Sequence, residues 1–374
     1  MVYLDYSATT PVNKEVLESF NKTCLDYPGN PNSLHKLGLE AKKLMDAATS
    51  KVAKILNVKE NEVIFTSGAS ESNNLAIKGI AGISRGKTII TTKLEHSSIL
   101  STVNYLKQNG YTIKYVKIKE DGQVDLEDLE KLIDKDTILV SIAEVNSEIG
   151  IIQNVNEIGK MLKKYERVLF HVDGTQAIGK KQINLENIDL YSFSAHKIYG
   201  LKGVGVLIKK ENISLVPLIH GGKSQTVYRS GTPALPLIVS TSKALSLMYE
   251  DLDKKIDYVK KLNTMLKEGL KKIANVTINS NDNSLPHIVN ISIKNIKPET
   301  LLHSLEEDEI YISTKTACSS NESVSLAVYT LTKDTELSST SIRISLSHLT
   351  KEEEITYFLE KLQEKINKLQ SIGN

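Results

Sequence analysis

Between positions 62 and 209 the chain alternates short apolar runs with longer stretches of helical period. The runs are EVIFTS, TIITTKL, TILVSIAEV, RVLFHVD, IDLYSFS and GVGVLIK. Several are apolar on consecutive residues, which marks strands buried on both faces rather than strands with one wet side. Before the first run lies a helical pattern, Leu37, Ala41, Leu44, Ala48, Val52 and Ile55, an apolar face with steps of three and four that Ser33 can cap. Another helix begins near Ser70. Such alternation predicts a mostly parallel sheet with helices on both sides, and ligands of such sheets bind beyond the carboxyl ends of the strands.

The pattern changes near position 236. A long charged helical stretch runs from Leu237 to Ile273, then NVTINS, HIVNISIK, a helix near 298–307, IYISTK and SIRISLS, and a last helix with a capping box at Thr350 and Glu353. We read a large domain over 15–236 and a smaller α/β domain with an antiparallel sheet over 237–374, which residues 1–14 could join. Lys+Arg total 47 against 45 Asp+Glu, so no basic excess points to nucleic acid. The two cysteines, Cys24 and Cys318, give no disulfide framework and fit a reducing compartment. No signal peptide and no spanning run of about 18 apolar residues is visible, and the expectation is a soluble cytoplasmic protein without membrane contact.

Four pieces fall at predicted strand ends. TSGASES (66–72) joins a strand to a helix with small residues that let amide groups approach an anion. His96 follows TIITTKLE. Asp173 ends a strand in HVDGTQ, with Gln176 three residues on. Lys197 closes SFSAHK after an inner strand, where a lysine rarely sits without a purpose. Singly these are a capped turn, a structural histidine, an Asp-Gly turn and an oddity. Together they suit pyridoxal phosphate, which needs a lysine for a Schiff base, a carboxylate at its pyridine nitrogen and a phosphate site. His96 could stack on the ring, and a partly desolvated Lys197 would be nucleophilic near neutral pH.

The chain resembles the cysteine desulfurases of the NifS/IscS type, within the class V aminotransferase-like, fold-type I pyridoxal-phosphate enzymes. The resemblance rests on YLDYSATTP (3–11), GNPNSLHKLG (29–38), FTSGASESNNLAIKG (65–79), LEHSSIL (94–100), VNSEIGIIQ (145–153), HVDGTQAIGK (171–180), SFSAHKIYG (192–200), RSGTP (229–233), TACSS (316–320) and SSTSIRISL (338–346). It implies an α/β fold with a mostly parallel seven-stranded sheet between helices, and a homodimer. It implies that Lys197 holds the cofactor, Asp173 pairs with the pyridine nitrogen, Gln176 bonds the phenolic oxygen and His96 stacks and shuttles protons. Ala69, Ser70, Ser194 and His196 would hold the phosphate, Thr232 would reach the phosphate of the other subunit, and Asn146 and Arg343 would grip the substrate carboxylate. No metal is implied.

Cys318 lies in the polar stretch STKTACSSNES, where a thiol reads as reactive rather than structural. Nearby Lys315 would favour the thiolate. Cys24 is expected to be structural. The implied activity converts L-cysteine to L-alanine and leaves sulfur as a persulfide on Cys318. An acceptor protein, an iron–sulfur scaffold or a tRNA-thiolation enzyme, would then take it. Selenocysteine lyases and class V aminotransferases share the scaffold, and a catalytically idle paralogue acting as a binding partner is the alternative from another class. The chain departs from the family at GGKSQTVYRSGT for the glycine-rich GGGQE stretch, GLKG for GPKG, STKTAC for SSGSAC and SLSH for SLGR. None of these removes a residue with a direct chemical role.

Overall fold

The structure, a computed structural model, describes residues 1–314 and 324–372. The strands in chain order are β1 (Val2–Tyr3), β2 (Val63–Thr66), β3 (Thr88–Thr91), β4 (Thr112–Tyr115), β5 (Thr137–Ala143), β6 (Leu169–Asp173), β7 (Leu190–Ser194), β8 (Gly205–Lys209), β9 (Val276–Ile278), β10 (Ile288–Ile293), β11 (Ile310–Tyr311) and β12 (Ser341–Ser345). The helices include α1 (Lys14–Asp26), α2 (Lys36–Leu56), α3 (Ala69–Ile83), α4 (Ser97–Gln108), α5 (Leu126–Leu132), α6 (Val155–Leu162), α7 (Leu235–Tyr249) and α8 (Leu252–Leu270), followed by Pro298–Glu306, Leu326–Thr332, Thr335–Ser339 and Glu352–Ile372.

A seven-stranded sheet runs in the order β2-β8-β7-β6-β5-β3-β4. All its pairings are parallel except those of β8, which lies antiparallel between β2 and β7. β2, β3, β7 and β8 are buried throughout, as consecutive apolar runs require. β4 escapes such a reading. It is a short edge strand with half-exposed side chains, and its sequence TIKY carries no apolar run.

A second sheet, β9-β10-β12, is antiparallel, and β1 pairs parallel with β11. Val2 and Leu4 share an apolar cluster with α8, β10, β12 and the last helix. The stretch expected as one helix from 237 to 273 is two helices, because Glu250 turns extended at ψ 121° after α7 and Asp251 takes a left-handed φ of 53° before α8. α7 buries Leu235, Ile238, Ala244 and Met248 in the cluster of the large sheet, whereas α8 buries Val259, Leu262 and Leu266 in the other. Two caps also differ from expectation. His35, rather than Ser33, caps α2 by accepting from the Gly38 amide. At the last helix it is Glu354 that accepts from the Lys351 amide, one residue beyond the expected box. Cys24 is exposed on α1 rather than buried as a structural residue.

β2, β5, β6 and β7 run in one direction, so Ser67–Ser70, Ala143–Ser147, Asp173–Gln176 and Ser194–Lys197 emerge at the same edge of the sheet. They surround a cavity of about 520 Å³ that Ser7–Thr9 and Arg343 close from the other side.

Candidate active site

The anion-binding end is built by the β2–α3 turn. The first turn of α3 carries amide groups with no partner within the helix. Ser194 Oγ, at the end of β7, accepts the Ala69 amide at 2.7 Å and pins this turn to the sheet. A Cβ at Gly205 would lie 2.5 Å from the Gly68 carbonyl carbon, so only glycine lets β8 pass under the cradle. Glu71 braces the rim by accepting from the Ser67 amide and from Arg229 Nε at 3.0 Å. Burial pushes its carboxyl up, but these two partners outweigh that and leave it below its ordinary value. His196 also faces the cavity, with Nδ1 3.1 Å from Thr9 Oγ1. Burial, then Lys197, Lys202 and Lys180, lower its pKa to about 4, so the ring is neutral at neutral pH.

Asp173 is fixed by turn chemistry at the end of β6. The Thr175 amide donates to Oδ1 at 3.0 Å, and Asn73 Nδ2, from α3, donates to Oδ2 at 2.8 Å. Gln176 Nε2 donates to the Ser7 carbonyl at 2.9 Å. Lys197 Nζ donates to the carbonyls of Ser7 and Ala8 at 2.6 and 2.7 Å. The lysine head therefore lies in the cavity and meets the N-terminal segment there.

His96 is the N-cap of α4, and its Nδ1 accepts the Ser98 amide at 3.1 Å. An amide can only donate, so the neutral ring carries its proton on Nε2. Burial lowers its pKa, Asp173 opposes that shift and Lys197 adds to it. Beside it Glu95 is held almost wholly out of water. Burial raises its carboxyl to about 8 despite a bond from Thr92 Oγ1, and the charge of Asp173 adds to the rise.

Arg343, on β12, is 1% exposed. Nη1 donates to the Ser147 carbonyl at 2.9 Å and Nη2 to Asp5 Oδ1 at 2.8 Å. Buried Nε has no hydrogen-bond partner among the described residues, so the Nε/Nη2 edge of the fork has donors left for an incoming carboxylate. Asn146 spends its Oδ1 on the Glu148 and Ile149 amides and one Nδ2 hydrogen on the Leu94 carbonyl, leaving one donor at the cavity wall.

The cavity thus gathers Ala69, Ser70, His96, Asn146, Asp173, Gln176, Ser194, His196, Lys197 and Arg343. Thr232 is exposed and is not part of its lining, and Cys318 and Lys315 lie outside the described residues. Sequence reasoning missed Asp5, Asn73 and Ser147. Asp5 and Asn73 stood inside quoted motifs, yet nothing local said that they face Arg343 and Asp173.

A mostly parallel sheet with a lysine, a carboxylate and a helix N-terminus converging at its carboxyl edge is the architecture of fold-type I transferases. The family described as Aminotransferase class-V matches residues 2–358. The chain belongs to that family, on its NifS/IscS branch. It is 39% identical over its whole length to "Cysteine desulfurase IscS" of Dictyoglomus turgidum, covering 96% of that protein, and 41% identical to that of Buchnera aphidicola subsp. Baizongia pistaciae, covering 94%. A solved structure titled "NIFS-LIKE PROTEIN" superposes with a TM-score of 0.92 at 40% identity, over 98% of this chain and 99% of that one. The apo cysteine desulfurase of Thermococcus onnurineus NA1 superposes at 0.87 and 25% identity, over 98% of this chain and 95% of that one.

Proposed function

We propose that the chain is a pyridoxal-phosphate-dependent cysteine desulfurase that converts L-cysteine to L-alanine and carries the sulfur away as a persulfide on Cys318. The observation that carries the reading is a single cavity with Lys197, Asp173 and the first turn of α3 at one end and the buried fork of Arg343 on its opposite wall.

The residues fit the cofactor. The volume lies within the roughly 300–1,000 Å³ of small-molecule sites. The small residues of the α3 turn leave room for an anion beside Ser70, Ser194 and the neutral His196. Asp173 offers a carboxylate for the pyridine nitrogen, and Gln176 offers an amide hydrogen for the phenolic oxygen. Once bound at Lys197, pyridoxal phosphate supplies the electron sink that a carbanion at the substrate Cα requires.

The remaining steps belong to the chain. Arg343, with the spare donor of Asn146, orients the substrate carboxylate. With the cofactor in place, the amine of Lys197 would be the base that removes the Cα proton. His96 carries its proton on Nε2, where it can serve the departing group. The thiolate of Cys318 attacks the substrate sulfur. The C–S bond breaks, an S–S bond forms, carbon is reduced to the alanine methyl group and the enzyme thiol is oxidised to the persulfide. No outside oxidant is needed.

The reading extends to a homodimer in which the exposed Thr232 meets the phosphate of the partner subunit, and to an acceptor protein, an iron–sulfur scaffold or a tRNA-thiolation enzyme, in the cytoplasm. Among the described residues no helix is long and apolar enough to cross a membrane.

The test is to incubate the protein with L-cysteine and a reductant and to quantify alanine and sulfide together. Equal amounts are expected. Cys318→Ser should still bind the cofactor and react with L-cysteine, yet make neither persulfide nor steady-state sulfide. Sulfide release by that variant at the wild-type rate would remove Cys318 from the mechanism and favour selenocysteine lyase or simple β-elimination chemistry.

A further inference from the structure

A second lysine lies buried behind the cavity. Lys180 is 6% exposed, and its hydrogen bond among the described residues goes from Nζ to Gln176 Oε1 at 2.8 Å. Gln176 Nε2 then donates to the Ser7 carbonyl, which also accepts from Lys197 Nζ. Two lysine amines are thus joined through one amide and one carbonyl. The order of atoms in this chain is forced. A carbonyl oxygen only accepts, so the amide nitrogen of Gln176 must face Ser7 and its oxygen must face Lys180. One Nε2 hydrogen is left for a ligand of the cavity, which Gln176 lines. Burying a lysine for packing alone is costly, and a methionine would fill the same space.

We propose that Lys180 is a positioning residue of the reaction centre: it locks the Gln176 amide with its nitrogen toward the cofactor's phenolic oxygen, and its charge opposes a second positive charge at Lys197. This rests on the reading of Lys197 as the cofactor lysine. Burial lowers the Lys180 amine to about 7, and the charges of Lys197 and Arg343 push in the same direction, so Lys180 and Lys197 each disfavour the other's charge. The other titratable groups that feel it are His196 and His287, both held below their ordinary values by burial first. The pair Lys180–Gln176 therefore tunes the proton at the Lys197 nitrogen. A donor at the phenolic oxygen and a cation nearby both ease its loss.

The experiment is a pH titration of the visible absorbance of the holoenzyme. It compares wild type with Lys180→Met, Lys180→Arg, Gln176→Ala and the double variant Lys180→Met/Gln176→Ala. Removing both the charge and the lock should raise the titration midpoint by about one pH unit, and Lys180→Arg should restore most of the wild-type value. In the Gln176→Ala background the effect of Lys180→Met should shrink, as a shared route demands. If Lys180→Met does not fold, Lys180→Gln, which keeps a donor without a charge, should give a smaller shift in the same direction. A Lys180→Met or Lys180→Gln holoenzyme that titrates like wild type overturns the proposal and leaves the cofactor reading intact. A wild-type protein with no visible band that Lys197→Ala abolishes overturns both.

Discussion

The two walls of the cavity are built in different ways. The wall at the sheet edge is aimed largely by local turns, with Asn73 and Ser194 adding ties across the sheet. Asp173 accepts from the amide of Thr175 two residues on, and His96 from that of Ser98. The opposite wall is assembled across the whole chain. Asp5 and Arg343 are 338 residues apart, as are Ser7 and Ser345, and Ser7 meets Gln176 over 169 residues. Turn chemistry aims most of the first wall. The second exists only because β1 pairs with β11 and the residues after it, Leu4 and Asp5, meet Ser345 of β12. The first wall should therefore carry the chemistry, and the second the grip on substrate.

The sharpest way to break this division is Lys197→Ala. Among the described residues Lys197 is the lysine that closes β7 beside Asp173 and the α3 turn, so turnover should be abolished and the visible absorbance of bound cofactor lost, while circular dichroism shows a retained fold. Alanine production at a normal rate would end the assignment.

Arg343→Lys tests the other wall. A point charge replaces a fork, so the bidentate contact is lost while the buried cation stays beside Asp5. Charge-assisted hydrogen bonds are worth roughly 1.5–3 kcal/mol, so KM for cysteine should rise by about ten- to a hundredfold. Cofactor affinity should change little. Loss of cofactor with an unchanged KM would move Arg343 from the substrate to the phosphate or the core.

The smallest expected effect concerns stability. Glu95 has an ordinary carboxyl pKa of 4.5 when unfolded and about 8 when folded. The folded protein therefore binds more protons than the unfolded chain between those values, and stability falls as pH rises from about 4.5 to about 8. Glu95→Gln keeps the shape and removes the titration. Its urea midpoint relative to wild type should climb across that window, and the gain should flatten beyond it. A constant difference at all pH values would show that the carboxyl does not titrate out of range.

How much of this was legible in the sequence follows from the same contrast. Strands buried on both faces had to be written as consecutive apolar residues, so β2, β3, β5, β6, β7 and β8 could be read directly. β4, at the edge with half-exposed side chains, carried no such mark. The joint at Glu250 and Asp251 was hidden because apolar periodicity is nearly the same on both sides of a two-residue break. Lys197, Asp173 and Gln176 stood out because a polar group at the end of an apolar run is conspicuous.

Local pattern determines what a residue's own neighbours enforce: period, caps, and turns that aim a carboxylate. It is silent on pairings whose partners are remote. Asp5, Asn73 and Lys180 stand inside the motifs 3–11, 65–79 and 171–180, and nothing in those segments marks their remote partners. Only the tertiary structure decided that Asp5 holds a buried guanidinium, that Asn73 braces Asp173, and that the Lys180 amine is out of water, because burial and electrostatic partnership belong to the packed chain and not to any segment of it.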